Sequence, residues 1–391
     1  MRRVALGPEL GVALLLAGCG SSLPPLPAST PLPEPDPDEV ERVVFLIGDT
    51  GNGIPAQLPV FSALGRDIEH WAARLDTGAV TLLVLGDLIY PDGMHPHDDP
   101  EFSRDSIILG QQIELVTGPA AMAREARAYF LAGNHDYMQE TDEEGRLRLS
   151  YTQTFIERAR LRDGAQAWLL PGLHEPGPTV VDMGERLRLV LLDTAWWLLV
   201  GEQQEKNRML IRLDAALATA GDRDVIVAAH HPYTSAGPHG GYVSLWKMLG
   251  IRYVLARSGA ILQDLNSEQY RELRLAIEQI FERRGRPLLF AGGHEHSLQV
   301  IRHYAPGAPR WTAVSGSGSK ISAVGRTEGM LFGSGQMGYM SVHFRRDGHV
   351  DLFATAVPEA YNVCPPEPTT LRECTAAGLA AAEVVYSVRL K

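Results

Sequence analysis

Five apolar runs of strand length, at residues 43–47, 80–85, 128–132, 225–229 and 288–291, each lead directly into a short block of ligand-type side chains. The blocks are Gly-Asp-Thr-Gly at 48–51, Gly-Asp-Leu-Ile-Tyr at 86–90, Gly-Asn-His-Asp at 133–136, His-His-Pro at 230–232 and Gly-His-Glu-His at 293–296. Each run reads as a buried strand that ends in a small residue. In an open α/β sheet, the loops at the carboxyl ends of parallel strands converge on one crevice. The pattern therefore predicts one site built from five loops. Alone, a Gly-Asp-x-Gly is usually a turn with a solvated Asp, because Gly and Asp are default turn residues. Five independent turns have no packing reason to carry these side chains in this order.

The residue types narrow the chemistry. Asp49, Asp87, Tyr90, Asn134, His230, His294 and His296 offer carboxylate, phenolate, amide and imidazole donors, with no thiolate among them. Such donors suit harder divalent and trivalent metals and exclude a zinc ribbon or an iron–sulfur cluster. Seven ligands are too many for one tetrahedral ion and suit two ions that share a carboxylate.

The order of these motifs resembles the calcineurin-like metallophosphoesterase superfamily, and within it the purple acid phosphatase branch. Most of that superfamily opens with Asp-x-His, whereas Gly51 stands at the third position here and Tyr90 follows the second Asp by three residues. The resemblance, which covers about residues 42–355, implies an α/β fold of four layers: two mixed β-sheets face to face, flanked by helices. Strands near 298–303, 310–314, 339–344 and 349–355 are expected to supply most of the second sheet. It implies one metal on Asp49, Asp87, Tyr90 and His296, and another on Asp87, Asn134, His230 and His294, with Asp87 as the bridge. Fe(III) is the expected ion beside Tyr90, with Fe, Zn or Mn as the divalent partner. His135 and His239 resemble the histidines that bind phosphate oxygens or assist the leaving group, a role suited to imidazole. The implied reaction is hydrolysis of a small phosphorylated substrate by a metal-activated hydroxide, as an acid phosphatase-type phosphomonoesterase. A phosphodiesterase or nucleotide pyrophosphatase would use the same metals, and a non-catalytic surface lipoprotein would use only the fold. Ser-Gly-Ser-Gly-Ser-Lys at 315–320 resembles a loop that follows the last motif in these enzymes.

The other histidines take plainer readings. His231 is expected to pack or to support its neighbour, and His95 and His97 to lie in a solvated loop after Tyr90. His70, His174, His303, His343 and His349 have no companions and read as structural or surface residues. Trp196 and Trp197 read as core.

Both ends carry separate signals. Arg2 and Arg3 precede an apolar stretch at 10–17 and then Leu-Ala-Gly-Cys at 16–19, which resembles a bacterial lipoprotein signal peptide with Cys19 as the lipidated residue. The expected organisation is a signal peptide at 1–18, a Pro-rich tether at 19–39, a catalytic domain at 40–357 and an extension at 358–391. The expected location is the cell envelope, lipid-anchored, in the outer membrane facing the periplasm or the surface. In an oxidising compartment Cys364 and Cys374 are expected to pair. The apolar segment 242–262, directly after His239, is expected either to cap the pocket or to pack as a surface excursion. The formal charge of −11 comes without a basic cluster beyond 283–286, which ends a predicted helix. No nucleic-acid partner is expected, since binding its backbone needs clustered Lys and Arg.

Overall fold

A computed structural model describes residues 26, 31–53, 58–139, 143–173, 177–199, 201–240, 265–357 and 382–391. Cys19, His174, Cys364 and Cys374, the signal segment and the stretch 242–262 lie outside the described residues.

The chain lays down two mixed sheets. In the first, β1 (Val40–Ile47), β2 (Val80–Val84), β3 (Arg127–Phe130) and β4 (Ala167–Leu169) run parallel, side by side. In the second, β5 (Thr179–Met183) is antiparallel to β6 (Leu187–Leu191), and β7 (Asp224–Ala228) and β8 (Leu289–Gly292) run parallel to β6. That sheet continues through β10 (Trp311–Ser315), parallel to β8, then antiparallel β9 (Leu298–Arg302) and β11 (Met330–Ser334). The first sheet is completed on the other side of β1 by antiparallel β12 (Gly338–Arg345), β13 (Val350–Ala356) and β14 (Glu383–Arg389).

This grouping corrects two expectations. The strand near 339–344 pairs with β1 and the strand near 349–355 with β12, both in the first sheet, and the second sheet is built around β6, β7 and β8 instead. A run of apolar strands shows which residues form sheets, but not which sheet a C-terminal hairpin joins, because that depends on a long-range return to β1. Residues 383–389, expected in an extension beyond the catalytic domain, form the edge strand β14.

The unbroken apolar runs make sense once both strand faces are covered. Along β1, Val44 and Leu46 face the core between the sheets with Leu83, Ile226 and Met340. The alternate residues Val43, Phe45 and Ile47 belong to the core beneath the helices, with Phe61 and Leu64 of α1 (Leu58–Ala72). This is the two-residue period of a strand used on both sides. Among the described residues, the other α-helices are α2 (Phe102–Glu114), α3 (Pro119–Ala123), α4 (Glu143–Asp163), α5 (Thr194–Leu199), α6 (Gln203–Ala218) and α7 (Glu268–Arg284). Helix α7 starts at Ser267, whose hydroxyl accepts the Tyr270 amide, and ends at Gly285 with φ 109°. Its last-turn Arg283 and Arg284 bind Asp214 of α6 and act as helix-end charge, whereas Arg286 lies past the helix and donates to the Ala308, His303 and Pro309 carbonyls. Trp197 is buried and Trp196 packs against the same core. Among the described residues, no helix is long and apolar enough to cross a membrane.

His343, on β12, is one of the histidines read as structural, and it is buried between Trp71 and Phe353. Burial pushes its pKa down from 6.5 to about 3. Below pH 6.5 the unfolded chain binds a proton here that the folded chain does not, so this group's contribution to stability falls as pH falls towards the folded value. Between about pH 7 and about pH 4, His343→Leu is expected to lose about 3 kcal/mol less stability than the wild type, at about 1.4 kcal/mol per unit. Urea midpoints at the two pH values test this, and parallel losses in both proteins would refute it.

Candidate metal centre

All five blocks lie at the carboxyl ends of parallel strands, β1, β2, β3, β7 and β8, where the two sheets meet. The loops are tied together by backbone: the Asp49 amide donates to Gly86 O, the Gly48 amide to Ser315 O and the Gly293 amide to His230 O. Asp49, Asp87 and His294 sit in left-handed backbone, at φ 57°, 55° and 65°. Non-glycine residues seldom adopt this conformation, and strain of this kind clusters at functional sites. It turns each chain sharply off its strand so that the side chain points across the strand ends.

Six of the seven predicted donors, Asp49, Asp87, Tyr90, Asn134, His230 and His294, are buried, none more than 4% exposed. His296 is partly exposed. They form two groups. In the first, the Tyr90 hydroxyl lies 3.0 Å from Asp49 Oδ1, 2.8 Å from Asp87 Oδ2 and 3.3 Å from His296 Nε2. In the second, His230 Nε2 lies 2.9 Å from Asn134 Oδ1, and His294 Nδ1 lies 3.2 Å from Asn134 Oδ1 and 3.3 Å from His230 Nε2. Asp87 reaches both, with Oδ2 on Tyr90 and Oδ1 3.4 Å from His230 Nε2.

These separations fit bound cations. Ligands at about 2.1 Å from an octahedral ion stand about 3.0 Å apart along each edge, and the distances above cluster there. His230 Nδ1 lies 2.8 Å from Leu85 O, an acceptor, so the proton belongs on Nδ1 and Nε2 presents a lone pair. That lone pair faces the Asn134 carbonyl oxygen at 2.9 Å, a repulsion that a bound cation would relieve. Likewise Asp49 and Asp87 are buried carboxylates that no Arg or Lys bridges directly among the described residues, and buried charge needs a partner. Asp49, Asp87 and His230 bring ligand atoms within 4.8 Å of one another, as do His230, His231 and His294.

The crowding of charge also shifts the ionisation of these groups. Burial, and then the charges of Asp49 and Asp87, hold the Tyr90 phenol well above its ordinary pKa. Burial pulls Asp87 upward, but His230 and His135 overcome it and keep the carboxyl below its usual range. For His296, burial pulls down while the Asp49 hydrogen bond and charge win and raise it.

The structure brings His135 and His239 to the rim. His135 packs edge-on to Tyr90 with ring centroids 4.4 Å apart, and its amide donates to Asp87 Oδ1. His239 lies against His294 at 4.3 Å. His231 sits beside the second group, its Nδ1 2.9 Å from Thr194 Oγ1. His95 lies apart from the donors: it binds Asp105 of α2 and holds its loop, while His97 packs on Phe102.

Sequence reasoning missed the residues that brace the centre. Asp136 accepts the Leu88 and Gly133 amides, locking two donor loops together, and burial followed by the Asp87 charge raises its carboxyl well above the usual range. Asp193, lifted to about 6 by burial, accepts from Tyr137 and from the Trp196 amide. Burial also raises Glu295, against His239 and the His239 and Gly240 amides. The 315–320 loop cradles the first donor: Ser319 Oγ donates to Asp49 O, and the Gly318 amide to Gly48 O. Lys320 Nζ lies 3.1 Å from the centroid of the Tyr90 ring, a cation on a π face. Asp136 and Glu295 stood inside motifs and Ser319 and Lys320 inside the 315–320 loop, whereas Asp193 carried no sequence signal.

Comparison with known proteins gives two kinds of likeness. The calcineurin-like phosphoesterase family matches residues 43–298. No curated protein sequence matches the chain. Among solved structures, the fold is similar to GAP50, the anchor in the inner membrane complex of Plasmodium, at 14% identity and a TM-score of 0.53, over 90% of this chain and 89% of that one. It is also similar to purple acid phosphatase PPD1 from yellow lupin (Lupinus luteus) seeds, at 14% identity and a TM-score of 0.50, over 89% of this chain and 53% of that one. At this identity the two structures share a fold with the chain.

Proposed function

Because the chain belongs to the calcineurin-like phosphoesterase family, whose members are hydrolases, we propose that it hydrolyses small phosphoric monoesters in the manner of an acid phosphatase. The observation that carries this reading is the Tyr90 phenol set between Asp49 and Asp87, within 3.3 Å of His296 Nε2. A phenolate in that place favours a trivalent ion such as Fe(III), and the nitrogen-rich group of Asn134, His230 and His294 favours a divalent Fe, Zn or Mn.

Asp49, Asp87, Tyr90 and His296 would hold one cation, and Asp87, Asn134, His230 and His294 the other. Bound there, two cations supply an activated water and neutralise charge on the phosphoryl oxygens. The protein's own part is then to orient the ester. His135 and His239, at opposite sides of the donor cluster, would hydrogen-bond phosphate oxygens and give a proton to the departing alkoxide. Lys320 adds positive charge at the mouth, suited to a doubly charged monoester. The fold alone is neutral on catalysis, since GAP50, which shares it, is an anchor; the intact donor set favours the enzyme.

Hydrolysis of a chromogenic phosphate monoester and the matching diester by metal-loaded protein tests the proposal. Faster turnover of the monoester is expected. Preference for the diester would move the activity to phosphodiester hydrolysis at the same centre, and turnover of neither would overturn the reading.

A further inference from the structure

We infer that Glu295 is the positioning residue that holds His239 over the metal centre, an assignment that rests on the phosphatase reading above. Glu295 stands between two donor histidines, His294 and His296, yet belongs to neither donor group. It is wholly buried. Its Oε1 accepts the Gly240 amide at 2.5 Å, and the His239 amide also donates to the carboxylate. Two consecutive amides turned towards one point form a small anion nest, which an acceptor-only carboxylate satisfies best.

The rest of the loop is shaped around this contact. Gly237 lies so close that a Cβ there would fall 2.2 Å from Glu295 Oε2. Gln299, four residues on, accepts the Ala236 amide through Oε1 and donates to Ser235 Oγ through Nε2. The segment 235–240 is thus fastened at both ends to the strand and turn that carry His294 and His296. The consequence is that His239 moves with the donors: displacing Glu295 loosens the turn that presents the imidazole without removing a ligand. Support of this indirect kind is worth about ten- to hundredfold in activity at metal sites.

The experiment uses the full chain loaded with metal, in four forms: Glu295→Ala, Glu295→Gln, His239→Ala and the Glu295→Ala/His239→Ala double variant. Turnover of a phosphomonoester, bound metal and amide hydrogen exchange at 235–240 are measured on each. Glu295→Ala is expected to keep both metals, exchange faster at 235–240 than the wild type, and lose about ten- to hundredfold in kcat. Glu295→Gln, which keeps one acceptor oxygen for Gly240, is expected to recover most of that loss. The double variant is expected to be no slower than His239→Ala, because the two residues act as one unit. Unchanged exchange at 235–240 in Glu295→Ala, or losses that multiply in the double variant, would overturn the assignment. Should the wild type turn over no phosphomonoester, the phosphatase reading fails, while exchange at 235–240 still decides whether Glu295 holds the loop.

Discussion

His230→Ala is expected to fold, to bind one metal ion in place of two, and to lose about a thousandfold or more in turnover, since a metal that stabilises transition-state charge is worth several kcal/mol. The reason is geometric. His230 sits at the centre of the second group and touches the shared carboxylate: its Nε2 lies 2.9 Å from Asn134 Oδ1, 3.3 Å from His294 Nδ1 and 3.4 Å from Asp87 Oδ1. Its other nitrogen is pinned by Leu85 O, at the end of a strand in the opposite sheet. Removing the ring takes away a lone pair and also the link between the sheets at that point, but it leaves Asp49, Tyr90 and His296 in place. Metal analysis of the purified variant, with kinetics on the same sample, decides the matter. Two ions retained per chain, or wild-type turnover, would remove His230 from the donor set.

Gly133→Ala is expected to damage the centre without replacing a single donor. A Cβ at Gly133 would fall 2.2 Å from Asp87 Oδ1 and 2.3 Å from the Asp87 nitrogen, distances no real side chain tolerates. Asp87 would have to move, and with it the carboxylate shared by both donor groups. Overpacking of this kind costs about 1–3 kcal/mol, and the displaced bridge should weaken binding of both ions together. Gly110, in α2, is the matched control: nothing lies within 4 Å of a Cβ there. Gly110→Ala is expected to be neutral or to stabilise by about 0.5–1 kcal/mol through better helix propensity. Denaturant midpoints and metal titration of the two variants make the comparison, and equal behaviour would refute the crowding argument.

The contrast between these residues shows what was legible in the chain. The seven candidate donors stood out in the sequence because each closely follows a strand end, where residue type and position together suggest ligand chemistry. The strands themselves were legible because burial on both faces leaves unbroken apolar runs such as β1 and β2. The sheet membership of β12 and β13 was not, since it depends on their return to β1 from far along the sequence. Nor were the braces. Asp193, Ser319 and Lys320 act through distances set by tertiary packing; the 315–320 loop was visible as a motif, but its bonds to the Asp49 and Gly48 carbonyls were not, and nothing in its neighbours marks Asp193. Asp136 and Glu295 stood in plain view inside motifs, but their work is to receive backbone amides from other loops, which no local pattern reveals. The left-handed turns at Asp49, Asp87 and His294 were equally silent, although a glycine precedes each.

Strand β14 has a consequence for how the protein comes into being. It pairs along β13 in one sheet, while Leu390 O accepts the Trp311 indole of the other sheet and Lys391 binds Asp224 at the start of β7. Residues 383–391 therefore stitch both sheets, and until they leave the ribosome β13 is an open edge, competent to pair with another chain. The domain reaches its closed form only once this segment has emerged, and until then the newborn chain carries an exposed sheet edge.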